Sequence, residues 1–103
     1  MDVKTVEKNT EAAPKILKAL SNERRLMIVC MLYKDEKSVG ALEEIIGLSQ
    51  SALSQHLARL RRDGIVKTRR DAQTIYYSLK STETEKILSC LHDMFCGGED
   101  PIC

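Results

Sequence analysis

The sequence predicts a mainly helical α+β chain: four helices in succession, one β-hairpin and a closing helix. Three observations carry this. Apolar residues recur at helical spacing in the first half, as in Ala13, Ile16, Leu17 and Leu20 and again in Leu53, Leu57 and Leu60. The period shortens to alternation in Ile65-Val66-Lys67-Thr68-Arg69 and Thr74-Ile75-Tyr76-Tyr77-Ser78-Leu79. Helical spacing then returns in Ile87, Leu88, Leu91, Met94 and Phe95.

A chain of 103 residues has room for one domain and one core. Its bounds are expected at residues 10–96, between a flexible N-terminus (1–9) and a flexible tail (97–103). With 43% hydrophobic and 30% charged residues, the composition excludes disorder and fits a soluble globular protein. No apolar run approaches the roughly 20 residues of a membrane span, and no basic stretch leads into an apolar one near Met1. The expected location is the cytoplasm, with no membrane partner. Four cysteines (Cys30, Cys90, Cys96, Cys103) in a helix-patterned chain without a CxxC pair read as reduced thiols rather than a disulfide scaffold.

Taken in order, the first helix ends near Leu20, and Ser21-Asn22 caps the next. Leu26-Met27-Ile28-Val29-Cys30-Met31-Leu32-Tyr33 is apolar on nearly every side, so the second helix should be packed from several directions and lie at the centre. Lys34-Asp35-Glu36-Lys37 reads as a charged turn. Ser38 caps a short third helix closed by Gly47, and Ser49 caps a fourth that ends at Asp63-Gly64. Arg70-Asp71-Ala72-Gln73 joins the two strands, with Ile75, Tyr77 and Leu79 on one face and Tyr76 on the other. The last helix starts near Thr82, and Gly97-Gly98 stops it. This order is a winged helix-turn-helix.

Charge is segregated along the chain. Residues 50–70 hold six basic side chains (Arg59, Arg61, Arg62, Lys67, Arg69, Arg70) against the single acid Asp63, which leaves the remainder net acidic. A basic patch on an acidic body points to a polyanion docking on one face. If Leu53, Leu57 and Leu60 hold the fourth helix to the core, then Gln50, Ser51, Ser54, Gln55, Ala58 and Arg59 face outward. Short hydroxyls and amides at a helix N-terminus suit the DNA major groove, where Gln pairs bidentately with adenine. The helix N-terminus itself favours phosphate. Arg59, or Arg62 one turn on, reaches guanine or phosphate. Lys67, Arg69 and Arg70 read as wing contacts to backbone phosphate. The bland alternatives are an ordinary solvated helix face and a hairpin edge whose cations discourage strand pairing. His56 reads as a packed or phosphate-contacting histidine rather than a metal ligand.

Several runs resemble one family. Leu20-Ser21-Asn22-Glu23-Arg24-Arg25-Leu26, Leu48-Ser49-Gln50-Ser51-Ala52-Leu53-Ser54-Gln55-His56-Leu57, Leu60-Arg61-Arg62-Asp63-Gly64-Ile65-Val66 and Tyr76-Tyr77-Ser78-Leu79 together resemble the arsenic-repressor (ArsR) family of winged-helix regulators. The resemblance covers about four fifths of the chain. It implies a homodimer paired through its first and last helices and bound to double-stranded DNA at imperfect inverted repeats. Of the metal sites known in that family, the cysteine site is missing from Ser38-Val39-Gly40-Ala41-Leu42. The last helix offers only the neighbours His92 and Asp93, which point about 100° apart. No cofactor or metal is expected.

Cys30 and Cys96, on the second and last helices, resemble the reactive-sulfur-sensing branch, which includes biofilm-growth and haemolysin regulators. The resemblance implies that persulfides bridge these two cysteines and weaken DNA binding. On chemistry alone, Cys30 should be buried with a raised pKa, and Cys96, at a helix end, should be the more accessible nucleophile. Two other readings stay open: a metal sensor using Cys96, His92 and Cys103, and a winged helix that binds protein rather than DNA. A thiol enzyme finds no base–nucleophile arrangement in the sequence.

Overall fold

Asp2 opens the first helix, its carboxylate accepting from the Lys4 amide at 3.4 Å. The structure, a computed structural model, describes residues 2–96, apart from the side chains of residues 5–9. Helix α1 spans Val3–Leu20 and continues through Pro14. It therefore begins well before Ala13, where apolar spacing first becomes visible, and its backbone occupies most of the segment expected to be flexible. The expected tail, residues 97–103, lies outside the described residues.

The α1–α2 corner is closed by side chains of the corner itself. Ser21 Oγ donates to the Lys18 carbonyl at 2.8 Å. Asn22 Oδ1 accepts from the Arg24 and Arg25 amides at 2.9 and 3.1 Å, satisfying two of the orphan donors at the start of α2 (Glu23–Lys34). Arg25 reaches back across the corner, its Nε donating to the Ala19 carbonyl at 2.7 Å. As its composition predicts, α2 is central: it packs against α1, the later helices and the sheet, and buries Ile28, Val29 and Leu32. Each fully buried aliphatic of this size contributes roughly 1.5–3 kcal/mol.

The charged run after α2 differs from expectation. Lys37–Ser38 forms a short strand, β1, antiparallel to the second hairpin strand, with Lys37 opposite Tyr77 and Ser38 opposite Tyr76. Two residues are too few to display a period, so only the pairing reveals the strand. Ser38 also caps α3 (Val39–Ile46), accepting from the Ala41 amide at 3.1 Å. Gly47 adopts φ 75° as α3 ends, a left-handed conformation that glycine takes without steric cost. Ser49 then caps α4 (Gln50–Arg62), accepting from the Ala52 amide at 3.2 Å.

The hairpin is β2 (Val66–Asp71) and β3 (Thr74–Leu79), and the sheet order is β1-β3-β2. Ile65, fully buried, ties it down: its amide donates to the Leu60 carbonyl, and its own carbonyl accepts from the Lys80 amide at 2.9 Å. The chain closes with α5 (Thr82–Phe95), capped by Ser81, whose Oγ accepts from the Thr84 amide. The core gathers Ala19, Leu20, Ile28, Val29, Leu32, Leu42, Ile46, Leu53, Leu57, Leu60, Ile65, Val66 and Leu88 from every helix and from β2.

The two-residue turn between the strands places Ala72 at φ 56°. Hairpins with positive φ at the first turn position normally place glycine there. The left-handed conformation costs an L-residue about 1–2 kcal/mol, whereas glycine adds about 0.4–1 kcal/mol of unfolded-chain entropy. Ala72→Gly should therefore raise unfolding stability by about 0.5–1 kcal/mol in urea titrations. A loss of stability would contradict the strained turn.

Candidate nucleic-acid interface

Three sides of α4 meet three different environments. Leu53, Leu57 and Leu60 face inward and are essentially inaccessible. Gln50, Ser51, Ser54, Gln55, Ala58, Arg61 and Arg62 are all exposed and, at 100° per residue, form one continuous outward arc. The first turn carries no acid, so nothing opposes the positive potential of the helix N-terminus. Small polar groups therefore sit at one end of the arc and guanidinium groups at the other.

Arg59 and His56 leave this arc. Both lie on the third side, half-buried toward the α1–α2 corner. Arg59 Nε stands 3.6 Å from Asp63 Oδ2, one turn on, and has no hydrogen-bond partner among the described residues. Arg25 is close enough that desolvation and the charge of Arg59 lower its pKa, with Asp63 partly compensating. Desolvation and the Arg25 charge likewise hold His56 below the ordinary histidine pKa. Arg59 thus serves the seam between α4 and the corner rather than the outward face expected for it. The outward arginine absent from the sequence-based candidates is Arg61. It follows Ser54 by seven residues, two helical turns, and that spacing alone could have identified it.

The wing's cations divide between the two faces of the sheet. Successive residues of a strand point to opposite faces, and cross-strand partners share a face. Arg70 is paired with Ile75, whose face also carries Tyr77, and Ile75 and Tyr77 line a hollow with Ser54, Ala58, Arg61 and Arg62 of α4. Lys67 and Arg69, paired with Ser78 and Tyr76, occupy the other face. There Arg69 is engaged within the chain: Nη2 and Nε donate to the Glu36 carboxylate at 2.7 and 2.9 Å. Its guanidinium also lies 4.3 Å from the Tyr76 ring centroid. The Glu36 hydrogen bonds raise the Arg69 pKa against a smaller opposing effect of desolvation. Lys67 and Arg70 are exposed.

Cys30 and Cys96 line a single cavity of about 430 Å³ between α2 and α5, together with Leu26, Met27, Leu88 and Leu91. The structure reverses their expected accessibility. Cys96, at the end of α5 on the cavity shared with α2, is buried at 8% exposure, while Cys30 is half-buried. Burial raises the Cys30 pKa, partly offset by Lys34. Cys30 and Cys90 are free thiols and Cys96 is disulfide-bonded; Cys103 lies outside the described residues. Among the described residues, no three histidine, cysteine or carboxylate side chains gather as a metal site. No described helix is long and apolar enough to cross a membrane.

Residues 22–68, which include the α3–α4 pair and the start of the wing, match the family described as bacterial regulatory protein, arsR family. The transcriptional activator HlyU of Vibrio cholerae is 54% identical over 96 residues, covering 93% of this chain and 89% of the relative. The chain belongs to the arsR family. This regulator is also 43% identical to the biofilm growth-associated repressor of Xylella fastidiosa, over 91% of this chain and 82% of that one. Its fold superposes on reduced HlyU from Vibrio cholerae with a TM-score of 0.86 and 54% identity, covering 91% of this chain and 99% of that structure. The Xylella fastidiosa repressor BigR gives 0.84 and 42%, covering 93% and 98%. The regulator is accordingly a DNA-binding transcriptional protein of a non-enzymatic family with a winged helix-turn-helix fold, as its sequence predicts.

The His56 environment makes stability pH-dependent with a definite sign. Because the folded pKa lies below the ordinary 6.5, the unfolded chain takes up the proton first as pH falls. Stability from this source is complete above the ordinary histidine pKa and is lost as pH drops through it toward the folded value. His56→Gln should flatten that part of the profile in urea midpoints measured between about pH 7.5 and 5. An unaltered slope would show that His56 carries no such linkage.

Proposed function

We propose that the regulator acts in the cytoplasm as a homodimer on imperfect inverted repeats, with reactive sulfur species releasing it through Cys30 and Cys96. The carrying observation is that both cysteines line one cavity between α2 and α5. Pairing of two copies through α1 and α5 is supported by Leu17, Met94 and Phe95, which are 55, 62 and 74% exposed. In each copy Gln50, Ser51, Ser54 and Gln55 address base edges, Arg61 and Arg62 address guanine or phosphate, and the wing addresses phosphate.

The chemistry balances without a further oxidant. Starting from reduced protein, one cysteine thiolate attacks the outer sulfur of a persulfide RSSH and releases the thiol RSH, becoming Cys–SSH. The second cysteine then displaces hydrogen sulfide from that group to form a Cys30–Cys96 disulfide. If both cysteines have taken sulfur, loss of hydrogen sulfide instead leaves a trisulfide. Either bridge clamps α2, which backs the reading helix α4, to α5, and so favours one dimer geometry over another. That a relative has been solved in a form named reduced HlyU fits thiols whose state matters.

The test uses a fluorescent duplex that the protein has selected from a random pool. Binding by reduced and by glutathione-persulfide-treated protein is compared by anisotropy, with intact and peptide mass spectrometry. Treated protein should bind at least about tenfold more weakly, about 1.4 kcal/mol, with the bridge mapped between Cys30 and Cys96. Cys30→Ser and Cys96→Ser should each bind DNA and ignore the reagent. Unchanged affinity despite thiol modification would remove sulfur sensing from the reading and leave the DNA-binding assignment intact.

A further inference from the structure

The wing needs its position set as much as its charge, because a two-stranded ribbon projecting from a small core is marginally stable by itself. One face of the ribbon is supported by the core through Tyr77 and Leu79, which pack against it. The other face has Tyr76, with Ser38 and Arg69 as its paired neighbours on either side, since β3 lies between β1 and β2. Glu36, two residues before Ser38, falls on the same side of the sheet by strand alternation. Arg69 closes the row: it stacks on Tyr76 of the middle strand and hydrogen-bonds through two nitrogens to Glu36 at the end of the row.

We propose that Arg69 is a positioning residue for DNA binding, holding the wing through Glu36 and Tyr76, and is not itself a phosphate contact. The inference rests on DNA binding by α4 and the wing and deepens that reading. Simple exposed ion pairs contribute little because both side chains lose freedom and water screens them. This pair has the forked, two-bond geometry in which a guanidinium matches a carboxylate, and the ring beneath it removes one further degree of freedom. Glu36 neutralises the guanidinium and holds its Nε and Nη2 edge, so a phosphate would find only the Nη1 side, in the orientation that the pair dictates. Arg70, by contrast, is exposed on the face turned toward α4 and has no such partner among the described residues.

Salt dependence separates the two roles, because removing one cation–phosphate interaction reduces the steepness of the negative slope of log K against log salt by about 0.9. The duplex selected from the random pool is titrated by anisotropy across salt concentrations with the reduced full chain. Arg69→Gln should bind severalfold more weakly with the wild-type slope, whereas Arg70→Gln should reduce the slope by about 0.9 per protomer. Glu36→Gln, which keeps the arginine and removes an acid, should also weaken binding severalfold. In both brace variants, hydrogen exchange of β2 and β3 amides in the free protein should quicken while α2 and α4 stay protected, which distinguishes a loosened wing from a disrupted fold. Tighter binding by Glu36→Gln, or a slope decrease of about 0.9 per protomer in Arg69→Gln, would make Arg69 a phosphate ligand and overturn the proposal. Unchanged wing exchange in both variants would overturn it equally, and a reduced slope in Arg70→Gln alongside would show that the wing still binds DNA.

Discussion

A helix with almost no polar face has to be surrounded, and the rest of this molecule is arranged to surround α2. Ile28, Val29 and Leu32 are buried among α1, α3, α4, α5 and β3, so α4 and the closing helix α5 rest on the same twelve residues. Close-packed interiors do not deform continuously, and a change on one side of such a helix is felt on the other. Cys30 lies on the side of α2 facing α5, while α4 packs elsewhere on the same helix. The proposed covalent tie across the α2–α5 cavity would therefore bear on the element that supports α4.

The same economy is visible in α4. One side is committed to the core, one to the outward arc and one to the corner built by Arg25, His56, Arg59 and Asp63. That corner brings two guanidinium groups together with a single carboxylate. Desolvation, joined by the Arg59 charge, lowers the Arg25 pKa, and desolvation, joined by the Arg25 charge, lowers that of His56. The cluster joins α4 to the end of α1 through the Arg25 bond to Ala19, so the pose of α4 is tied to the helix that carries exposed Leu17. In the proposed dimer, α4 and the pairing face of α1 are connected on this side as well as through α2.

The wing shows how charge and position are separated in a small β-ribbon. Three cations are neighbours or near-neighbours in sequence, yet pleating sends Arg70 to the face turned toward α4 and Lys67 and Arg69 to the opposite one. Of the latter two, Arg69 is neutralised by Glu36, a residue 33 positions away. The positive charge counted along residues 50–70 is consequently larger than the charge free to meet a polyanion, since Arg59 and Arg69 are both engaged within the chain.

What the sequence determined by itself was local or periodic. Ser38 and Ser49 cap helices, Gly47 ends α3, and the switch from helical to alternating spacing marks the wing, because each depends on residues within a few positions. The central place of α2 was also legible, since a run apolar on all sides admits few other environments. Tertiary structure alone decided the rest. Helix α1 reaches back to Val3 through a polar stretch in which spacing gives no signal, and β1 exists only through its pairing with β3. Arg59 and Arg69 read as free cations until Asp63 and Glu36 are seen beside them, and Cys96 reads as an accessible helix end until α5 is laid on α2. Which side chain meets a partner from a distant segment depends on how the elements pack around α2, and such encounters leave no mark in local sequence.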